Sequence, residues 1–480
     1  MPECTVHTVG ETRRISFSGT PVLHDLLLPF ADAPERPCGG RGRCGKCAVY
    51  AKGGLSVPPD EQGKVLSCQA HLTGDAEVWL PRRQILLQIE TGTRASDIPL
   101  SPMPGDIGAA VDIGTTTVVL QLIRLSDGEI LSTVSCENPQ RIIAADVIGR
   151  IEAALKGQPA LLKNLICGCV DDLEREACAR AGLSRLSDVR IIAGNTTMLY
   201  LYSGRSPKTL ASAPFEADCL FGFREGRDLL VSCAGAFVGG DITCAILSSR
   251  MQHREETALL IDVGTNGEIA LWHNGVLRCC ATAAGPAFEG GGISCGCGSI
   301  RGAIDRVSVR DGQLSFHTLE DAPVTGLCGS GLIDLTAALL ETEQLDETGY
   351  LEEDVKLADG IALTGQDIRQ VQLAKGAIAA GIRTLMSLAG ITADQIGTFY
   401  IAGGFGSHLN LHSAARIGLF PAEFIPRARV LGNASLSGAR QLLLSMPSMR
   451  ESEEIAGRAQ CLNAAACPGF SDAFVESMLF

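Results

Sequence analysis

The chain has 480 residues, 46% of them hydrophobic and 20% charged. That is ordinary for a water-soluble protein and long enough for about two to four domains. Its net charge of −14 argues against a nucleic-acid surface, and no apolar run reaches the ~18 residues of a membrane span. The 19 cysteines, an odd number scattered over a long chain, do not fit a small secreted disulfide framework. The opening Met-Pro-Glu-Cys carries no basic region followed by an apolar stretch, so a cytoplasmic protein is expected.

Residues 1–82 form the first expected domain. They carry Cys38-Gly-Gly-Arg-Gly-Arg-Cys44-Gly-Lys-Cys47, with Cys68 further on. The spacing C-x5-C-x2-C…C is one residue longer than the plant-type pattern that binds a 2Fe-2S cluster, as in the adrenodoxin-like branch. A loop wrapped around a cluster needs unusual φ values and N–H groups aimed at sulfur, which the glycines at 39, 40, 42 and 45 would allow. Strands are expected near 4–9, 14–18, 48–51 and 76–80, with a helix over 23–30. The alternatives are a structural zinc site, although such sites usually pair two C-x2-C arms and only one is present, and unliganded thiols, which the Gly-rich loop disfavours.

Residues 83–107, punctuated by Pro99, Pro102, Pro104 and Gly105, read as a linker. A first lobe is expected over 108–255. It opens with a strand that breaks at Asp112-Ile-Gly-Thr-Thr-Thr117, then strands near 118–125 and 128–136 in a meander. Helices follow near 144–156 and 160–181, and a strand over 189–193. That strand runs into Asn195, which could touch a phosphate or simply cap a helix. Asp241, in Phe237-Val-Gly-Gly-Asp-Ile-Thr243, could hold a magnesium-bound water or cap the next helix.

The second lobe, 256–480, repeats the plan in Ala258-Leu-Leu-Ile-Asp-Val-Gly-Thr-Asn-Gly-Glu268. An apolar run breaking at glycine is a buried strand entering a tight turn. There Gly264 admits a ligand close to the backbone, and Thr265 and Asn266 offer donors. Asp262 is a carboxylate of the kind that organises magnesium. Strands are expected near 269–272 and 276–281. Gly285-Pro-Ala-Phe-Glu-Gly-Gly-Gly292 is suited to lining a cleft. Glycines before the helix expected at 332–340 suggest an anion site. A long helix follows over 366–389. The strand from Thr398 ends at Gly403, Gly404, Phe405 and Gly406, a turn flat enough for adenine and ribose. Arg429 to Gly438 gives a further strand, turn and helix. Cys279-Cys280, Cys295-Gly-Cys297 and the pair Cys461 and Cys467 could each support a second metal site. No G-x-x-x-x-G-K-[S/T] occurs, which disfavours a P-loop enzyme.

Asp112 to Thr117, Asp262 to Glu268 and Ala402 to Ser407 resemble the two phosphate motifs and the adenosine motif of the ATPase superfamily of actin, sugar kinases and heat-shock chaperones. With the Cys38/Cys44/Cys47/Cys68 segment in front, the chain resembles the ATP-dependent reductive activators of corrinoid proteins. Ala284-Gly-Pro-Ala-Phe-Glu, Gly302-Ala-Ile-Asp, Gly329-Ser-Gly-Leu-Ile-Asp and Phe474-Val-Glu-Ser-Met-Leu-Phe480 match the same family.

The resemblance implies an α/β fold, a ribonuclease H-like duplicated two-lobe ATPase core, behind an N-terminal α+β 2Fe-2S ferredoxin-like domain. It implies 2Fe-2S, ATP and Mg2+ as cofactors. The partners would be a corrinoid protein of a methyltransferase system and an upstream electron donor, with room for a homodimer. The activity would be one-electron reduction of Co(II) to Co(I) at the cost of ATP. Asp112, Asp262 and Glu268 are the expected catalytic groups. Gly114, Thr115, Thr116, Thr117, Asn195, Gly264, Thr265 and Asn266 would face phosphates, Asp241 would bind the nucleotide's magnesium through water, and Gly403, Gly404, Phe405 and Gly406 would face adenosine. The alternatives are an ATP-driven donor to another low-potential enzyme, and a non-enzymatic iron-sulfur carrier or sensor with a nucleotide-binding domain.

Overall fold

The computed structural model describes residues 1–8, 12–30, 33–34, 36, 39–43, 45, 47–60, 63–80, 99–403 and 409–480, apart from the side chain of residue 142. Alternation of apolar and polar residues builds the first domain. Strands β1 (Glu3–His7), β2 (Thr12–Ser16), β3 (Ala48–Leu55), β4 (Lys64–Leu66) and β5 (Leu72–Trp79) form one sheet in the order β2-β1-β5-β3-β4, with helix α1 (Leu23–Leu27) against it. Cys4, Val6, Leu23, Leu27, Val49, Leu72 and Val78 fill its core. Strand β4 is not among the expected elements. At three residues it is too short for a period to register.

The first lobe follows the expected meander. Strands β6 (Ile107–Ile113), β7 (Thr117–Arg124) and β8 (Ile130–Glu137) lead into helices α2 (Val147–Leu155) and α3 (Pro159–Arg180). Strand β9 (Val189–Gly194), helix α4 (Thr196–Ser203), the hairpin β10 (Phe223–Glu225) and β11 (Asp228–Leu230), and helix α5 (Gly240–Ser249) complete it. The sheet order is β10-β11-β9-β6-β7-β8, with β9 parallel to β6.

The second lobe begins with the same antiparallel triplet, β12 (Ala258–Val263), β13 (Gly267–His273) and β14 (Val276–Thr282). Strands β15 (Ala303–Arg310), β16 (Gln313–Thr318) and β17 (Gly326–Leu327) form a small sheet before helix α6 (Gly329–Glu341). Next come β18 (Val355–Ala358), β19 (Ile361–Leu363), helix α7 (Gly365–Ala389), β20 (Thr398–Ala402) and helix α8 (Leu411–Arg416). The chain closes with β21 (Ala428–Gly432), α9 (Ala434–Leu444), α10 (Met446–Arg458), β22 (Gln460–Leu462) and α11 (Phe470–Glu476). The large sheet has the order β21-β20-β12-β13-β14-β22, again with the parallel neighbour β20 beside the first strand of the triplet.

Helices α5 and α9 lie between the two large sheets. One continuous core joins Ala110 and Ile191 of the first lobe to Leu260 and Ala270 of the second through Ile242, Ile246, Leu436 and Leu442. Gly438 makes that crossing possible, because a Cβ there would stand 2.2 Å from the Cys244 carbonyl oxygen. The ends of both central strands are thereby aimed at a shared cleft. Residues just ahead of β6 are pinned to the same region: the Ser101 and Met103 N–H groups donate to the Leu444 and Leu443 carbonyls. Among the described residues no helix is long and apolar enough to cross a membrane.

Candidate functional site

The two turns sit at the ends of β6 and β12. In the first, the Gly114 N–H donates to the Thr117 carbonyl, closing the turn over Thr115 and Thr116. Asn138 clamps it from behind, donating its amide to the Gly114 carbonyl at 2.8 Å and its backbone N–H to the Thr116 carbonyl. Arg150 on α2 donates to the Thr115 carbonyl at 2.6 Å and to the Ala144 carbonyl at 3.0 Å. Arg150 is fully buried. Burial pushes its pKa down to about 9, Arg141 adds repulsion, and the charges of Asp146 and Glu289 oppose the shift.

Asn195 makes the helix cap expected of it, and a further bond that was not expected. Its carbonyl oxygen caps α4 by accepting the Met198 N–H, and its amide donates to the Thr115 hydroxyl at 3.2 Å. Asp241 does not cap α5, whose N-cap is Gly239.

Four carboxylates gather between the lobes. Burial, and after it the charge of the neighbouring Asp112, raise Asp241 to about 7. Asp262 rises to about 8 through burial and the charges of Asp241, Asp112 and Glu289. Glu268 is raised well above its usual range by burial, Asp241 and Asp262, with Asn266 opposing by a hydrogen bond. Asp112 is also raised by burial, but Ser435 and Asn433 hold its charged form through hydrogen bonds of 2.8 and 2.9 Å. Buried carboxylates that repel one another resist ionising together. No three His, Cys, Asp or Glu side chains among the described residues converge enough to hold a metal ion alone. That also answers the cysteine pairs proposed as a second metal site: among the described residues they assemble none, although β14 and β22 bring Cys279 opposite Cys461.

Gly403 packs directly behind Asp262. Its φ is +94°, and a Cβ would stand 2.6 Å from Asp262 Oδ1. Gly404, Phe405 and Gly406, expected to face adenosine, lie outside the described residues. The start of α6, expected to bind an anion, is instead covered by β15. Gly329 to Leu332 are buried, and the Ser330 hydroxyl donates to the Asp305 carbonyl.

Sequence reasoning did not single out Glu289, Asn433, Ser435 or Arg150. Glu289 accepts the Thr265 hydroxyl at 2.6 Å and the Thr265 N–H at 3.2 Å, and also the Thr116 hydroxyl from the other lobe.

In the N-terminal domain, Cys47 and Cys68 are buried with their Sγ atoms 3.1 Å apart. Cys38 and Cys44 lie outside the described residues. Gly39, Gly40, Gly42 and Gly45 have φ values of 64°, 82°, 68° and 67°. This is the left-handed path that a loop around a cluster was expected to need. Gln69 donates to the Gly40 carbonyl at 2.6 Å, and the Ser67 hydroxyl to the Cys47 carbonyl at 2.9 Å, tying the two cysteine segments together. Two adjacent thiols, Cys47 at the end of a left-handed glycine loop and Cys68 after β4, fit an iron-sulfur cluster.

Two family models match the chain consecutively: the RACo middle region over residues 107–254, and the C-terminal ASKHA domain of RACo over 256–480. The chain belongs to the RACo family. Its core is therefore of the ASKHA ATPase type, as the duplicated sheets already indicated. It is 27% identical to the corrinoid activation enzyme RamQ of Eubacterium limosum over 97% of each chain. It is 26% identical to the [Co(II) methylated amine-specific corrinoid protein] reductase of Methanosarcina barkeri, over 73% of this chain and 72% of that one. The solved structure of a reductive activator for corrinoid, iron-sulfur protein superposes with a TM-score of 0.73 at 27% identity, covering 100% of this chain and 98% of that chain.

Proposed function

We propose that the protein is an ATP-hydrolysing iron-sulfur activase. It returns the cobalt of a methyltransferase corrinoid protein from Co(II) to Co(I), one electron at a time. The observation that carries this reading is the likeness to a corrinoid activation enzyme over 97% of both chains.

Cys47 and Cys68, with Cys38 and Cys44, would hold a 2Fe-2S cluster, which supplies a one-electron couple. Thr115, Thr116, Thr117 and Gly114 of one lobe, and Gly264, Thr265 and Asn266 of the other, would receive the phosphates. Asn195 orients the Thr115 hydroxyl. Asp112 and Asp262 would organise magnesium, which keeps several waters and takes only one or two carboxylates. Asp241 would hold one of those waters. Glu268, whose carboxyl is raised by burial and then by Asp241 and Asp262, would be the group that handles a proton. Gly403, Gly404, Phe405 and Gly406 would line adenosine. The protein is read as cytoplasmic and served by an upstream low-potential donor.

The uphill step sets the scale of what closure must supply. For one electron, ~59 mV uphill costs a factor of ten. Ligands that favour one of two states by ~10⁴-fold can offset about 240 mV. Lobe closure around the phosphates is a bias of that kind.

The test uses the full chain purified without oxygen. Reduced protein and a Co(II) corrinoid protein should give the Co(I) absorbance only with MgATP. Cys47→Ser should stop reduction and spare ATP binding. Asp262→Ala should abolish hydrolysis and leave the cluster spectrum intact. Co(I) formed at the same rate without nucleotide would refute the coupling.

A further inference from the structure

Glu289 closes the short helix Ala287–Glu289 after β14. Its neighbours Ala287 and Phe288 are buried in the second-lobe core, so the carboxylate is aimed by packing rather than left to wander. It takes three donors: the hydroxyl and N–H of Thr265 in one lobe and the hydroxyl of Thr116 in the other. Gly264 lies directly beside it, since a Cβ there would make van der Waals contact with Glu289 Oε1 at 3.4 Å. An anionic group receiving two hydroxyls and a backbone N–H from two facing turns sits as a phosphoryl group would.

We propose that Glu289 occupies the subsite of the nucleotide's terminal phosphate, and that nucleotide binding displaces it. The proposal rests on the nucleotide reading given above. Each hydroxyl and each N–H has one proton to donate, so two anions cannot both use them. Two negative groups side by side in a half-buried cleft also repel. Nucleotide therefore enters by lifting residues 284–292 off both turns. That motion has a path outward. Ser294 donates its N–H to Asp367 Oδ1 at 2.7 Å and its hydroxyl to Oδ2 at 2.5 Å. Asp367 also belongs to the capping box that starts α7. Displacing Glu289 thus loads the N-terminus of the longest helix in the second lobe.

The experiment is calorimetric titration of the anaerobic full chain with the magnesium complex of a non-hydrolysable ATP analogue, on wild type, Glu289→Gln and Glu289→Ala. Both variants should bind at least about fivefold more tightly, with a smaller gain for MgADP. Hydrogen exchange on the wild type is the second measurement: residues 285–292 should exchange faster when the analogue is bound. Wild-type binding with equal or weaker binding by both variants would overturn the displacement, as would protection of 285–292. Either result would leave the nucleotide reading standing. Failure of the wild type to bind either nucleotide would overturn both.

Discussion

Replacing Arg150 by methionine separates two things a buried cation can do. The guanidinium is fully buried with no carboxylate of the described residues bonded to it, and burial pulls its pKa from 12.5 to about 9. At about 1.4 kcal/mol per unit, keeping the charge there costs on the order of 4–5 kcal/mol. Its bonds to Thr115, Ala144 and Gln140 repay that, and each acceptor left unpaired inside costs about 1–3 kcal/mol. In Arg150→Met the relieved burial and the orphaned acceptors nearly cancel, so unfolding free energy should change by no more than about 2 kcal/mol. Nucleotide binding has no such compensation. The first turn loses its clamp at the Thr115 carbonyl, and a positive charge leaves the region behind the phosphates. Affinity for the non-hydrolysable analogue should fall about tenfold or more, equivalent to ~1.4 kcal/mol. Arg150→Lys should recover part of this through charge but not all, because an ammonium cannot reproduce the fork. Thermal melts and calorimetry on the same samples decide it. A loss of stability above about 4 kcal/mol with unchanged affinity would refute the reasoning and leave Arg150 a pin of the scaffold.

Two further outcomes follow from the same bookkeeping of buried charge. Lys375 is buried beneath the Phe480 ring, and desolvation lowers it from 10.5 to about 8. The folded protein therefore releases this proton before the unfolded chain does, so the penalty is full below pH 8 and fades as pH rises toward 10.5. It is worth at most about 3 kcal/mol, and melts from pH 7 to 10 should show the rise in wild type and a flatter curve in Lys375→Met. Asn433 both caps α9, accepting the Leu436 N–H at 2.8 Å, and donates to Asp112 at 2.9 Å. Asn433→Asp keeps the cap but sets a second anion against Asp112, so stability should hold within about 1 kcal/mol while phosphate release slows at least tenfold.

What the sequence made legible was local. The Asp-x-Gly-Thr turns could be found because an apolar run ending in glycine has a period and a stop. The cysteine loop could be read because its glycines carry the backbone, and all four adopt the left-handed φ that such a loop requires. The site's cross-lobe contacts leave no such trace. Glu289 meets Thr116 across 173 residues, and Asp112 meets Asn433 and Ser435 across 321 and 323. No window of periodicity spans those separations. Arg150 did leave a signal that was readable but unread. It lies on the stripe of Val147, Ile151 and Ala154, the buried face of α2. An arginine on that stripe must be paid for by bonds elsewhere, and here the elsewhere is a phosphate-type turn. The missed hairpin strands β15 and β16 have the opposite cause. Their faces carry Asp305, Arg306, Arg310 and His317 and are half exposed, so alternation is masked by charge.

The placement of α2 bears on how the N-terminal cysteine-loop domain is joined to the ATPase core. Its inner face carries Arg150 to the Thr115 carbonyl. On its outer face Glu152 is held below the usual carboxylate range first by its Lys156 partner and also by Arg41 of the cysteine loop. Leu28 of the first domain packs against the core that lies beneath the same helix. The first phosphate-type turn is bonded to one side of this nine-residue helix, and the charge of the cysteine loop is felt at the other. A change of the turn on binding phosphate need not cross the molecule to be felt at the loop, because one rigid element joins them. Coupling through a single packed element needs two arrangements of that element, each preferred by one ligand state. The competition between Glu289 and phosphate for Thr116 supplies such a pair at one end. The influence of Arg41 on Glu152 is a long-range charge attraction at the surface rather than a bond, hence weak and screened.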